Sequence, residues 1–206
     1  MGKHETGYAR VERDLYATRE AWVTQALLKH VDLIDAHVWE PAAGRHAMMA
    51  LVLAKVARVH CSDIAPERVA WECAAVHDFT TATLPRGWQG RVNFDAIVTN
   101  PPFGSRGKLA EAFIRAGLKH IERGEARALA LLLPADFDSA ATRARLFGYC
   151  GLFRAKLVLT KRIVWFERED GEREAPKENH AWYIWERSLL RRTGAPLLLH
   201  QHQDAP

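Results

Sequence analysis

Asp95-Ala96-Ile97-Val98-Thr99-Asn100-Pro101-Pro102-Phe103-Gly104-Ser105-Arg106-Gly107-Lys108 joins an apolar, β-branched run to a rigid turn. The run from Ala96 to Thr99 reads as a buried strand. Two consecutive prolines cannot donate to a ladder, and each holds φ near about −65°, so the strand must end at Asn100. An amide and an aromatic ring therefore flank a donor-free turn at the end of a strand. That placement directs the search to what lies beyond the other strand ends.

Working outward, strand-like runs alternate with helical patterns. This alternation predicts an α/β domain with a Rossmann-like, mainly parallel sheet and helices on both faces. Seven strands are expected, at Ala36–Trp39, Val59–Ser62, Ala75–His77, Phe94–Thr99, Ala128–Leu133, Phe153–Thr160 and Ala181–Glu186. Helices are expected after a Thr18 cap, and at Ala47–Ala57, Pro66–Ala74, Leu109–Glu122 and Ser139–Tyr149. One domain covers residues 1–193, with a basic arm at 1–17, a candidate substrate-contacting loop at 161–180, and a frayed tail at 194–206.

In open α/β sheets, ligands bind beyond the carboxyl ends of the strands. Three acidic residues fall at such ends. Glu40 opens Glu40-Pro41-Ala42-Ala43-Gly44, where small residues let the backbone approach a ligand. Asp63, followed by Ile64, lies 23 positions further on, near the spacing at which an acidic residue receives ribose hydroxyls. Asp78, followed by Phe79, is placed to accept from an adenine amino group. No GxxxxGK[ST] loop is present, and Glu40 would repel a pyrophosphate. The pocket suits an adenosine that carries a cationic group, and S-adenosylmethionine fits that description.

With these residues in place, the sequence resembles the class I S-adenosylmethionine-dependent methyltransferases that modify amino groups. It is most similar to small bacterial and phage DNA adenine-N6 methyltransferases. The likeness spans roughly Tyr8 to Trp185. The segment from Glu12 to Leu28, with Tyr16 and Thr18, resembles the family's cofactor-contacting stretch before the first strand. Glu40, Pro41, Ala42 and Gly44 match the methionine-binding loop, Asp63 and Ile64 the ribose end, and Asp78 and Phe79 the adenine end. Asn100-Pro101-Pro102-Phe103 matches the catalytic loop, where Asn100 also meets the cofactor. Two departures stand out: His46 replaces a usual glycine, with Arg45 before it, and Thr18-Arg19 replaces a Thr-Pro pair.

The turn suits the chemistry of a planar amine. The lone pair of the exocyclic nitrogen is delocalised into the ring. Two acceptors that hold its hydrogens, the Asn100 side-chain oxygen and the Pro101 carbonyl, would free that pair for attack. Pro101 and Pro102 fix both acceptors in advance, and Phe103 offers a stacking face for a flipped base. Arg106, Lys108 and Trp165 are the candidate contacts to the rest of the substrate. The expected partner is nucleic acid, DNA ahead of RNA. The alternatives are methylation of an RNA base, methylation of a protein glutamine amide, and a non-catalytic binder that lost cofactor affinity through Arg45 and His46.

The formal charge of +4 over 206 residues agrees with a polyanionic partner without requiring one. Three cysteines without CxxC spacing argue for a reduced, cytoplasmic setting and against a metal site. No stretch approaches the roughly 20 apolar residues of a membrane span, so no membrane is expected.

Overall fold

A computed structural model describes residues 18–65, 75–165, 178–187 and 197–201. The order of elements is α1 (Ala21–Leu28), β1 (His37–Glu40), α2 (Met48–Leu53), β2 (Arg58–Asp63), β3 (Ala75–Val76) and β4 (Phe94–Thr99). Then follow α3 (Lys108–Glu122), β5 (Ala126–Pro134), β6 (Phe153–Leu159), β7 (His180–Glu186) and β8 (Leu197–Gln201). They form one sheet in the order β3-β2-β1-β4-β5-β7-β6-β8. β1, β2, β3, β4 and β5 run parallel, whereas β7 is antiparallel to both β5 and β6.

The sheet therefore has eight strands, not seven. The added strand, β8, pairs in parallel with β6 from Ala155↔Leu197 to Leu159↔Gln201. It comes from the segment expected to fray after Gly194. Leu199 packs there against the core that includes Leu157 and Trp182, while Leu197 and Leu198 remain exposed, so the strand is held chiefly by its backbone pairing with β6.

Alternation along the central strands builds one core on each face. Leu129, Leu131 and Leu133 of β5 join Tyr183 and Trp185 of β7 and the inner face of α3. Ala130 and Leu132 join Trp182, Ile184 and the α1 residues Val23 and Leu27 on the other face. α3 buries Ala110, Phe113, Ile114, Gly117 and Ile121, the i, i+3, i+4 spacing of an amphipathic helix. Gly117 permits its close approach, because a Cβ there would lie 2.6 Å from Leu129 Cδ2. Full burial of each large apolar side chain contributes about 1.5–3 kcal/mol.

The helices depart from expectation where side chains compete for backbone groups. Thr18 caps nothing: α1 begins after Glu20, which makes no side-chain cap bond. The Glu20 carboxylate instead accepts from Val164 N at 3.0 Å. α2 covers only Met48–Leu53: Ala47, with φ of +43°, precedes its start, and past Leu53 the chain tightens into i→i−3 bonds from Lys55 N to Val52 O and Val56 N to Leu53 O. Ser139–Tyr149 forms no α-helix. Short 3₁₀ turns at Phe137–Ser139 and Ala141–Leu146 replace it. Trp185 Nε1 donates to Leu146 O at 2.7 Å, taking a carbonyl that an α-helix would use. The helix expected at Pro66–Ala74 lies outside the described residues. Among the described residues, no helix is long and apolar enough to cross a membrane, and no group of three potential metal ligands occurs.

Candidate functional site

β1, β2 and β4 end side by side, so Glu40, Asp63 and Asn100 emerge along one edge of the sheet. Beyond that edge lies a cavity of about 720 Å³, within the size range of small-molecule sites. Its wall includes Thr18, Glu40, Pro41, Ala42, Gly44, Asp63, Ile64, Asp78, Phe79, Asn100 and Pro102. Eleven of the residues singled out from sequence thus meet at one cavity, contributed by five separate segments.

The loop after β1 is held open by specific bonds. Ala43 N donates to Ser62 O at 3.2 Å, and Gly44 N donates to Asp63 Oδ2 at 2.9 Å. Gly44 has φ of +63°, and a Cβ there would meet nothing within 4 Å. Glycine serves the backbone conformation at this point, and the space around it belongs to the cavity. Asp63 Oδ1 also accepts from Ala65 N at 3.0 Å. Asp63 therefore organises the loop, while its remaining lone pairs face the cavity's needs. Asp78 Oδ1 accepts from Thr80 N at 2.9 Å and Thr80 Oγ1 at 2.7 Å, capping the 3₁₀ turn Phe79–Thr81. Phe79 lines the cavity from within the core, packed against Trp39, Phe113 and His120.

Glu40 differs from the other two acids. It is 3% exposed, and Oε2 has no hydrogen-bond partner. Burial is the main cause that raises its pKa to about 8; the Asp63 charge adds to this and a hydrogen bond from the Ala50 backbone opposes it. Thr18 Oγ1 is likewise buried without a partner on the same wall. A ligand that brought a cation or donor here would meet unfilled acceptors.

The Asn-Pro-Pro-Phe turn is anchored from its far side. Phe103 O accepts from Leu109 N at 3.1 Å and Ala110 N at 3.4 Å, joining the turn to the start of α3. Gly104 has φ of +65°, and a Cβ there would lie 2.7 Å from Leu109 Cβ. Arg143 then ties the turn to the segment after β5. Its Nη2 donates to Arg106 O and its Nε to Glu111 Oε1, both at 2.8 Å, with the guanidinium 3.8 Å from the Phe137 ring centroid.

Several sequence-derived candidates lie elsewhere. Pro101 is buried behind the turn, and Phe103 packs partly against the α3 core; neither lines the cavity. Arg106 and Lys108 are exposed beyond it. Trp165 packs against the opposite core and meets His180 edge-on at 5.0 Å. Tyr16 lies outside the described residues, as do most of residues 161–180. Conversely, Arg19, Met48, Met49, His77, Leu109 and Phe113 line the cavity without having been singled out for it. The 3.6-residue period that puts Leu109 one turn before Phe113 was the available signal for that pair. Arg45 and His46, noted as departures, are both exposed and on the wall.

No family model matches the chain, and no curated protein matches it in sequence. Solved structures do match its fold. One is a candidate RNA methyltransferase of Pyrococcus horikoshii, at TM-score 0.58 and 15% identity over 84% of each chain. The chain shares a Rossmann-like α/β fold with these structures. A type I restriction-modification methyltransferase subunit from Streptococcus thermophilus matches at TM-score 0.55 and 15% identity, over 87% of this chain but 45% of that one. The 23S rRNA methyltransferase ErmE matches at 0.50 and 18% identity, over 84% and 70%.

Proposed function

We propose that this chain transfers a methyl group from S-adenosylmethionine to the exocyclic N6 amine of adenine in DNA. The observation that carries the reading is the shared cavity. Asn100 and Pro102 stand on the same wall as Glu40, Asp63 and Asp78. The acids supply acceptors for a cationic adenosine ligand, and the turn supplies an acceptor for an amine beside it.

The residues fit the cofactor. Glu40, Thr18, Pro41, Ala42 and Gly44 would hold its amino-acid end, where Glu40 Oε2 and Thr18 Oγ1 are unfilled. Asp63 and Ile64 would hold the ribose, and Asp78 and Phe79 the adenine. When bound, it supplies an electrophilic methyl group. The side-chain oxygen of Asn100, on the cavity wall, accepts a hydrogen of the amine and keeps its lone pair out of the ring, while Pro101, buried behind the turn, holds Asn100 in place. That position is set before the substrate arrives, because the prolines and the Phe103 contacts to α3 fix the turn. Leu109 and Phe113 give the cavity an apolar side that excludes water from the amine. Arg106 and Lys108, exposed next to the turn, are placed to meet phosphates. The cysteine pattern supports a reduced, cytoplasmic setting.

A second reading places the same chemistry on an RNA base. It is favoured by the Pyrococcus structure, described as an RNA methyltransferase candidate, which aligns over equal fractions of both chains. The experiment incubates the full chain with labelled S-adenosylmethionine and, separately, DNA and RNA, and identifies the modified nucleoside by mass spectrometry. N6-methyladenine in DNA is the expected product. Label in RNA alone would move the assignment to the second reading, and label in neither would reject both.

A further inference from the structure

Glu40 sits where the cavity, the sheet and α2 meet, and its surroundings contain acceptors but few compensating charges. From β2 it faces Asp63, whose oxygens are already engaged with Gly44 N and Ala65 N. From α2 it receives the Ala50 backbone N–H. The segment after β3 contributes His77 and Asp78 to the wall, and His77 Nε2 is committed to Thr83 O at 2.8 Å. The loop after β1 contributes Arg45 and His46, and the upstream segment Arg19. β4 and α3 face the cavity with Asn100, Pro102, Leu109 and Phe113, none of which titrates.

A buried carboxyl group with an unfilled oxygen and an acid as neighbour is more stable with its proton than without it. A cation placed beside it reverses that preference, since an opposite charge at short range favours the ionised form. We propose that donor binding at this cavity is an exchange, in which Glu40 releases its proton to solvent as the cationic ligand takes its place. The inference rests on the methyltransferase reading and adds a thermodynamic property of this chain to it. The balance is simple: the O–H bond of the Glu40 carboxyl breaks, the proton goes to buffer, and a carboxylate–cation pair replaces it. Glu40 becomes charged only when a positive ligand is there to meet it. The unliganded protein is thereby spared a buried anion.

The pH dependence follows in sign and size. Below about pH 8 the cation must displace a proton, so affinity rises with pH, by up to about tenfold per unit, and above that value it falls again as the ligand's own α-ammonium gives up its proton. The test is isothermal titration calorimetry of S-adenosylmethionine into the full chain at pH 7, in phosphate and in Tris, whose ionisation heats differ. The expected result is a buffer-dependent heat equivalent to nearly one proton released. Glu40→Gln, which mimics the protonated side chain in shape, should lose that dependence at pH 7 and bind with an affinity that no longer rises with pH below the range where the ligand's α-ammonium titrates. Circular dichroism melting confirms that the variant is folded, and the infrared carbonyl band of a protonated carboxyl at pH 7 should be present in the unliganded wild type and missing from Glu40→Gln. Equal heats in the two buffers would overturn the exchange while leaving the methyltransferase reading intact. Proton release that survives in Glu40→Gln would overturn it too, by assigning the proton to another group. A complete lack of binding heat would instead reject the methyltransferase reading, and the exchange with it.

Discussion

On β7, Trp182 Nε1 donates to Val23 O at 2.9 Å, and Trp185 Nε1 donates to Leu146 O at 2.7 Å. Between them, Tyr183 Oη lies 2.9 Å from Ala135 O and 3.1 Å from both Pro134 O and Asp138 Oδ1. Across the same sheet, at the end of β1, Glu40 Oε2 is buried with no partner, and so is Thr18 Oγ1 beside it. Both regions bury polar atoms in an apolar sheet. One satisfies its indole and phenol donors within the chain and leaves only His180 Nδ1 unpaired at its start, and the other leaves acceptors open on a cavity. A buried polar atom without a partner costs about 1–3 kcal/mol. The β7 half is therefore scaffold, and the β1 half holds stability in reserve for a ligand.

The sharpest way to test that division is at the cavity's reactive corner. Asn100→Ala should lower methyl transfer by about 10²–10³-fold, as expected for loss of a preorganised polar group. Cofactor binding by calorimetry should be largely unchanged. Residual transfer close to wild type would remove Asn100 from the chemistry.

Glu40→Gln should next reveal the stability held in reserve. The folded-state pKa of about 8 lies above the ordinary 4.5, so the folded protein holds a proton that the unfolded chain gives up. Glu40 therefore favours folding fully only below about pH 4.5, and that contribution is lost as pH rises to 8. The substitution should stabilise the protein by roughly 4 kcal/mol at pH 8. It should change little at pH 4, as chemical denaturation at the two pH values would show.

His180 behaves with the opposite sign. Burial pushes its pKa down from 6.5 to about 4, so the unfolded chain binds the proton first. Stability is present above pH 6.5 and falls as pH drops toward 4, by roughly 3 kcal/mol from this residue. His180→Asn should flatten that slope in thermal melts. A remainder should persist, because His60 and His120 are also lowered by burial.

Trp185→Phe is the smallest change, and it tests the scaffold side. It keeps most of the ring and removes the donor to Leu146 O, so about 1 kcal/mol of stability should be lost. Methyl transfer should be unaffected.

What could be read from the chain depended on whether the signal lay in the backbone or in side-chain direction. Asn100-Pro101-Pro102 carries its own conformational instruction, and so do the acidic strand ends, where an apolar run simply stops. All of these but Pro101, which is buried behind the turn, meet at the cavity, as their order along the strands implied. Phe103 and Trp165 sit in irregular segments, where no period says which way a ring points. Both rings follow the nearest apolar core instead. The segment from 139 to 149 has helix-forming composition, but Trp185 and Arg143 take the contacts that would let it form. β8 was hidden because its partner, β6, lies some forty residues earlier, and only the tertiary fold shows a sheet edge open to backbone pairing.

Arg143 also sets how the Asn-Pro-Pro-Phe turn can move. Its hydrogen bonds to Arg106 O, Glu111 and Phe137 O hold the residues after the turn, the first part of α3 and the segment beyond β5 as a single piece. Breathing motions of one must carry the others. The amide hydrogens on both sides should exchange with solvent through a shared opening, so the floor beneath a bound base would yield as a unit or not at all.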